Sequence, residues 1–139
     1  MINYPAEKVR NITLLGHGGS GKTALAEAML FCAKSIDRMG RSTDGNTTMD
    51  FDPEEIRRQI SINTTIAACE WKNTKMNIID TPGDFDFLGE TMAGIRVADS
   101  AIVVLASKGG IQVGAEKAVR LLKKKNVPYM FFVNRIDEP

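Results

Sequence analysis

Residues 16–23 read G-H-G-G-S-G-K-T and follow the pattern G-x-x-x-x-G-K-[ST]. Residues 9–15, just before them, are apolar and partly β-branched, which predicts a buried strand. Residues 23–33, just after them, contain no Gly or Pro and predict a helix. The inner face of this helix is expected to carry Leu25, Ala28, Met29 and Cys32. A strand, a glycine-rich turn and a helix in this order predict a phosphate-binding loop.

The predicted loop has the residue types that a nucleoside triphosphate requires. Gly18, Gly19 and Gly21 allow backbone conformations that a Cβ would forbid, so that successive N–H groups can face the phosphates. The start of the following helix adds unpaired N–H groups and the positive end of its dipole. We expect the Lys22 ammonium to reach the terminal phosphates and the Thr23 hydroxyl to ligate Mg²⁺.

Length and composition are those of one ordinary globular domain. The chain has 139 residues, of which 43% are hydrophobic and 25% are charged. Its net charge of +1 gives no basis for sequence-specific nucleic-acid binding. No apolar run approaches the roughly 18 residues of a membrane span, and we expect a cytoplasmic protein without membrane association. Cys32 and Cys69 lack metal-ligand spacing and are expected to be buried, reduced thiols.

A polar segment and a predicted hairpin follow the first helix. Residues 34–59 have no sustained period, which predicts a long mobile loop with a helical turn or two near its end. Residues 60–68 predict a half-buried strand at a sheet edge. Its inward-facing residues are expected to be Ile60, Ile62, Thr64, Ile66 and Ala68. Lys72-Asn73 supplies a turn into a strand at 75–80, which predicts an antiparallel hairpin.

The rest of the chain alternates between helices and apolar strands. A helix is predicted from about Asp84, strands are predicted at 100–106 and 127–133, and a further helix lies between these strands. This alternation predicts an α/β fold with a doubly wound, mainly parallel sheet and one antiparallel edge hairpin. Ligands of such sheets bind outside the carboxyl ends of the strands, where the main motifs of this chain fall.

The tetrapeptide D-T-P-G at residues 80–83 closes the second strand of the predicted hairpin. Asp80 is expected to hold Mg²⁺, commonly through water, because Mg²⁺ keeps several of its waters. The Gly83 N–H can donate to the terminal phosphate. A segment held only while that phosphate is bound would act as a switch.

The tetrapeptide N-R-I-D at residues 134–137 closes the last predicted strand. The Asp137 carboxylate can accept hydrogen bonds from the N1–H and 2-amino groups of guanine, a pair of donors that adenine lacks. Asn134 is expected either to reach the base or to tie this loop to the phosphate loop.

These motifs, in this order, resemble the guanine-nucleotide-binding domain of P-loop GTPases. G-H-x-x-x-G-K-T, R-x-I-S-I, D-T-P-G-x-x-D-F and A-I-V-V resemble, more narrowly, elongation factor G and its translational relatives over about residues 8–137. The resemblance implies a GTPase that acts on the ribosome, with GTP or GDP and Mg²⁺ as ligands. It implies a nucleotide-binding set of His17, Gly18, Gly19, Ser20, Gly21, Lys22, Thr23, Asn134, Arg135 and Asp137, and a metal set of Thr23, Ser61 and Asp80.

The chain departs from the family pattern at several positions. Asp84 stands where the family carries the His that positions the attacking water. Together with Gly83, which can donate to the terminal phosphate, it is a catalytic candidate. A carboxylate there is repelled by the γ-phosphate unless a metal or a proton intervenes. Gly19 replaces a usual Asp, Gln59 a usual Gly and Arg135 a usual Lys, which implies a divergent paralogue.

Other functional interpretations stay open at this stage. One is a module that reports nucleotide state with little hydrolysis, another is a relative of ribosome-protection or release factors, and a third is an ATP-using P-loop enzyme. The family's domain continues past its N-K-x-D motif. Residues 1–139 are therefore interpreted as a GTP-binding (G) domain incomplete at its C-terminus, with residues 129–133 as an exposed apolar edge.

Overall fold

A five-stranded sheet forms the centre of the computed structural model, which describes residues 3–137. The strands are β1 (Val9–Gly16), β2 (Thr65–Trp71), β3 (Thr74–Asp80), β4 (Ser100–Ala106) and β5 (Tyr129–Asn134). Their order in the sheet is β2-β3-β1-β4-β5, and only the β2–β3 pair is antiparallel. The predicted fold class, a mainly parallel doubly wound sheet with one edge hairpin, is confirmed.

Helices cover both faces of this sheet. The helices are α1 (Lys22–Cys32), α2 (Pro53–Arg58), α3 (Leu88–Val97) and α4 (Val113–Lys125), with short 3₁₀ turns at Ala6–Lys8, Ser42–Asp44 and Phe85–Phe87. Leu14 belongs to a core cluster with α1, whereas its neighbour Leu15 belongs to a cluster with α3 and α4, because successive strand residues point to opposite faces. None of the helices formed by residues 3–137 has the length and hydrophobicity that a bilayer crossing requires.

Helix α1 turns a different face to the sheet than the sequence pattern predicts. Ala26 and Leu30 are fully buried, Leu25 and Met29 pack at the margin of the core, and Cys32 is exposed. The sheet contact follows the i, i+4 pair of Ala26 and Leu30. At 3.6 residues per turn, position 32 then lies about 160° around the helix from Leu30. The prediction that Cys32 is buried is therefore wrong.

The edge hairpin forms as predicted, but its first strand begins later and faces the other way. Strand β2 starts at Thr65, with Ala67 and Cys69 on its inner side and Ile66 61% exposed. The prediction of a strand from residue 60 is wrong because side chains take the N–H groups that a sheet would need. Thr64 N–H, for example, donates to Glu90 Oε2 at 2.7 Å. The burial predicted for Cys69 is confirmed.

The aperiodic segment at 34–59 packs back on α1. Glu27 of α1 is fully buried, and its carboxylate accepts hydrogen bonds from the N–H groups of Gly40 (3.0 Å) and Thr48. Met49 joins the core cluster beneath α1. The helical turn predicted near the end of the segment is α2, which begins at Pro53.

Strand β5 lies at the edge of the sheet and exposes apolar side chains. Met130, Phe131 and Val133 are 59%, 51% and 53% exposed. Among the described residues, the predicted apolar edge strand is therefore confirmed.

Replacing Gln59 by Gly is expected to stabilise the fold. Gln59 ends α2 with a φ of 56°, in the left-handed region. A side chain costs about 1–2 kcal/mol in that conformation, and Gly avoids this cost. Urea unfolding of Gln59→Gly should show a higher midpoint than the wild type with an unchanged m-value.

The control is Gln59→Ala, which removes the rest of the side chain but keeps the Cβ. If Gln59→Gly proves no more stable than Gln59→Ala, backbone strain at this position is not a cost to the fold.

Candidate functional site

The glycine-rich stretch forms a tight connection from β1 into α1. Gly21 caps the helix with a φ of 93°, a left-handed conformation that favours glycine, and its carbonyl accepts the Leu25 N–H at 2.9 Å. Lys22 is the first helical residue. The predicted order of strand, loop and helix is confirmed, and α1 begins directly at the loop. The first N–H groups of a helix have no partner within it, so they are available to an anion.

A cleft of ≈ 290 Å³ opens beside this loop. Most of the sequence-predicted site residues line it, namely Gly18, Gly19, Gly21, Lys22, Thr23, Ser61, Gly83, Asp84 and Arg135. The lining also includes Ala24, Ser42, Thr43, Gln59 and Ile60. Among the described residues that the sequence predicted, His17, Ser20, Asp80, Asn134 and Asp137 lie outside the lining.

Lys22 is held at the centre of the site. Its side chain is buried, and Nζ donates to the carbonyl oxygens of Gly16 (3.3 Å) and His17 (3.0 Å). Burial lowers the pKa of Lys22, whereas the charges of Asp80, Asp84 and Asp50 act to raise it. The ammonium is thus buried within the field of several carboxylates.

Hydroxyl groups and carboxylates form a continuous chain next to Lys22. Thr23 Oγ1 donates to Asp80 Oδ2 at 2.6 Å and lies 3.1 Å from Ser61 Oγ. Ser61 Oγ in turn donates to Asp50 Oδ1 at 2.7 Å. The structure therefore brings together all three predicted metal ligands, although they come from α1, β3 and the segment after α2.

The Asp80 carboxylate has one oxygen that is free to bind a cation. Its Oδ1 atom is buried and has no hydrogen-bond partner among the described residues. Burial raises the pKa of Asp80 to about 7, against the opposing effects of the Thr23 hydrogen bond and the Lys22 charge. An unpaired buried carboxylate oxygen is costly unless a positive charge approaches it.

The donor set suits Mg²⁺. Within residues 3–137 no three His, Cys, Asp or Glu side chains are arranged as a metal cage. Mg²⁺ does not need such a cage, because it keeps several waters and takes one or two carboxylates together with substrate phosphates. The hydroxyls of Thr23 and Ser61 beside the Asp80 carboxylate are hard oxygen donors of the kind that this ion prefers.

Gly83 and Asp84 close over the glycine loop. A Cβ on Gly83 would lie 2.5 Å from Lys22 Nζ and 2.6 Å from Gly18 N, so that only glycine fits there. Asp84 is exposed, and its Oδ1 would lie 3.0 Å from a Cβ on Gly18. The Asp84 carboxylate therefore lies at the mouth of the loop and adds to the negative field around Lys22.

The N-R-I-D motif reaches the site from the end of β5. Asn134 Nδ2 donates to the Ser20 carbonyl at 3.1 Å and so ties this loop to the phosphate loop, one of the two roles predicted for Asn134. Its contact with the base stays a prediction. Arg135 lines the cleft, and Asp137 is exposed in the turn after β5. The contact between Asp137 and guanine remains a prediction.

His17 packs away from the cleft. A Cβ on Gly114 of α4 would lie 3.0 Å from His17 Nδ1, so that the ring lies against the backbone of this helix. The position supports a packing role in the loop, and the smallness of Gly114 makes room for it.

Two acidic residues of the site were missed by the sequence analysis. Asp50 lies in an aperiodic segment, and no pattern distinguishes it from other acidic residues of that segment. Glu55 stands three residues after Asp52, and this spacing is the signature of the helix-capping box that the structure shows. The spacing predicts the cap, but it does not predict the further bonds of Glu55 described below.

The comparisons with known proteins agree with this geometry. Residues 7–139 match the family model described as "Elongation factor Tu GTP binding domain". The chain is 40% identical over 135 residues to elongation factor G of Salinibacter ruber, covering 97% of this chain and 19% of that protein. It is 40% identical over 131 residues to a tetracycline resistance protein TetM of Enterococcus faecalis, covering 94% of this chain and 20% of that protein.

A solved structure shows the same architecture. A crystal structure of a protein from Thermus thermophilus superposes with a TM-score of 0.92 at 34% identity, covering 95% of this chain and 20% of that one. The chain thus spans about a fifth of the length of the relatives it matches. With the family model matched along nearly all of its residues, the chain belongs to the elongation factor Tu GTP-binding domain family.

Proposed function

We propose that this chain is the GTP-binding and GTP-hydrolysing switch domain of a divergent, elongation factor G-like translation factor that acts on the ribosome in the cytoplasm. The observation that carries the proposal is the convergence of Thr23, Ser61 and Asp80 beside the buried Lys22. Such a group of oxygen donors and one ammonium suits a nucleoside triphosphate with its Mg²⁺.

Each element of the site has a role in binding. The Lys22 ammonium and the N–H groups of the loop would hold the phosphates, and Thr23, Ser61 and Asp80 would hold the metal. When bound, Mg²⁺ supplies positive charge to the phosphate oxygens. Asn134 keeps the base-binding loop against the phosphate loop, so that both ends of one nucleotide can be recognised together.

The reaction proposed is attack of water on the γ-phosphate of GTP, which gives GDP and phosphate. The Gly83 N–H would donate to the γ-phosphate, so that loss of this phosphate frees the D-T-P-G segment. The close packing of Gly83 on Gly18 and Lys22 supports this role, since it keeps the D-T-P-G segment against the glycine loop.

The ribosome as partner is supported by the relatives. Elongation factor G and TetM share 40% identity with the chain. Because the chain covers about a fifth of each, both an elongation role and the role of a ribosome-protection or release-factor relative remain within the proposal.

Asp84 favours a second function, in which the domain binds GTP but hydrolyses little of it. Its carboxylate lies at the mouth of the loop, where the γ-phosphate of a bound nucleotide adds further negative charge. The Asp84 carboxylate and the γ-phosphate carry like charges and would repel each other, and a carboxylate cannot provide the cationic form of an imidazole. The domain would then bind GTP and report its presence with little hydrolysis of its own.

The guanine selectivity is tested by calorimetry in the presence of Mg²⁺. GTP is expected to bind at least about 100-fold more tightly than ATP, because a carboxylate that binds two donors of the base is left unpaired by adenine. Asp137→Asn should weaken GTP binding by about 10–100-fold and favour xanthosine triphosphate, since a hydrogen bond to a charged group contributes about 1.5–3 kcal/mol. Equal affinities for GTP and ATP, or an unchanged GTP affinity in Asp137→Asn, would contradict the assignment.

The two functions are separated by single-turnover hydrolysis of GTP with ribosomes. If Asp84 limits the reaction, Asp84→His should accelerate phosphate release by about 100-fold or more, the range of a positioned acid–base group. Asp84→Asn is the matched control, because it removes the charge without supplying an imidazole. Rapid turnover by the wild type, with no gain in Asp84→His, would remove the second function.

A further inference from the structure

The backbone on the N-terminal side of Ser61 is bound to one residue of α2. The N–H of Gln59 donates to the Glu55 carbonyl oxygen, and the N–H of Ile60 donates to the same atom at 3.3 Å. These two bonds close the end of α2 and direct the chain from the helix toward the cleft, which both Gln59 and Ile60 line.

The backbone on the C-terminal side of Ser61 is bound to the side chain of the same residue. Glu55 Oε1 accepts the N–H groups of Ile62 and Asn63, each at 2.9 Å. Its Oε2 accepts the Asp52 N–H at 3.3 Å and completes the cap of α2. Ser61 is therefore held between two pairs of N–H groups that all donate to Glu55.

Glu55 is buried and has no cationic partner in the part of the chain that the structure describes. Glu55 is 1% exposed, and none of the ion pairs formed by residues 3–137 includes it. A buried carboxylate is stable only if its oxygens are well satisfied, and here backbone N–H groups satisfy them. The bonds to Ile62 and Asn63 are charge-assisted, and such bonds are the stronger kind.

The held residue is the one whose hydroxyl joins the metal set. Ser61 Oγ lies 3.1 Å from Thr23 Oγ1 and donates to Asp50 Oδ1 at 2.7 Å. Since residues 60–64 form no strand, the Glu55 bonds replace the ladder that would otherwise fix this backbone.

We propose that Glu55 is the positioning residue of the Mg²⁺ site: it holds the Ser61 hydroxyl at the distance from Thr23 at which both can serve one metal ion. The proposal rests on the proposed function, because it takes the metal set of Thr23, Ser61 and Asp80 as given. It adds a residue that touches neither the nucleotide nor the metal.

Glu54 provides a matched control on the same helix. It is the neighbouring residue with the same charge, but it is partly exposed and pairs with Arg57 (2.6 Å) and Arg58 (2.5 Å). Glu54→Gln therefore removes a carboxylate from α2 without touching the backbone around Ser61.

The test measures how much Mg²⁺ strengthens nucleotide binding. The dissociation constant of a fluorescent, non-hydrolysable GTP analogue for the purified protein is measured in EDTA and in Mg²⁺. The ratio of the constant in EDTA to the constant in Mg²⁺ is then compared among variants. Glu55→Gln should lower this ratio by about tenfold, the lower end of what loss of an outer-shell partner costs a metal site. Glu54→Gln should leave the ratio unchanged, and the affinity in EDTA should be the same in all three proteins.

A double variant shows whether Glu55 acts through Ser61. If it does, Ser61→Ala lowers the ratio, and adding Glu55→Gln to Ser61→Ala lowers it no further. Amide hydrogen exchange gives a reading that does not depend on nucleotide. Exchange at residues 62 and 63 should be faster in Glu55→Gln than in Glu54→Gln. Glu55→Asp, which keeps the charge but shortens the side chain, serves in place of Glu55→Gln if the latter does not fold.

Each outcome bears on the inference. A Mg²⁺ ratio equal to that of the wild type in folded Glu55→Gln overturns it, and so does an equal loss of affinity in EDTA and in Mg²⁺, which would mark a purely structural residue. Additive effects in the double variant also overturn it. If the wild type itself binds no guanine nucleotide, the proposed function fails together with this inference, whereas Mg²⁺-dependent binding that ignores Glu55 removes the inference alone.

Discussion

The parallel pairing of β1 with β3 is the constraint on which the site depends. In this register Leu14 lies opposite Asp80, so that the glycine loop and the D-T-P-G segment leave the sheet at the same edge and level. Thr81 Oγ1 donates to the Leu14 carbonyl at 2.8 Å and fixes the two strand ends to each other. A slip of one residue would turn Asp80 to the opposite face of the sheet, because side chains alternate along a strand.

Around this strand junction the domain buries an unusual set of charges. Lys22, Glu27, Asp50, Glu55 and Asp80 are all buried. The two glutamates are satisfied by backbone N–H groups, and in each case these bonds hold part of the segment between α1 and β2. The two aspartates face Lys22 and the hydroxyl chain, and burial raises the pKa of both. The two glutamates thus fix the backbone around the site. The two aspartates give the site more negative charge than Lys22 alone balances.

This division explains how a segment without a regular hydrophobic pattern acquires a definite course. Glu27 binds its beginning through Gly40 and Thr48, and Glu55 binds its end. Between these points Met49 supplies an apolar anchor in the core. The segment can therefore carry Ser61 to within 3.1 Å of Thr23 without forming a strand.

The order of residues along the chain was enough to predict the phosphate loop, the edge hairpin and the α/β class, because each follows from neighbouring residues. Glycines permit the tight turn of the loop, Lys72-Asn73 separates the two strands of the hairpin, and apolar runs of strand length indicate the sheet. It was not enough for the inner face of α1 or the side of β2 that faces the core, because these depend on which residues the sheet contacts. Nor did it indicate Asp50 or the role of Glu55, since their partners lie at a distance along the chain and become neighbours only when the strands pair. Sequence alone determined what the loop can bind. Tertiary structure decided which distant oxygens and N–H groups meet beside it, because hydrogen bonds between remote segments leave no periodic trace in the sequence.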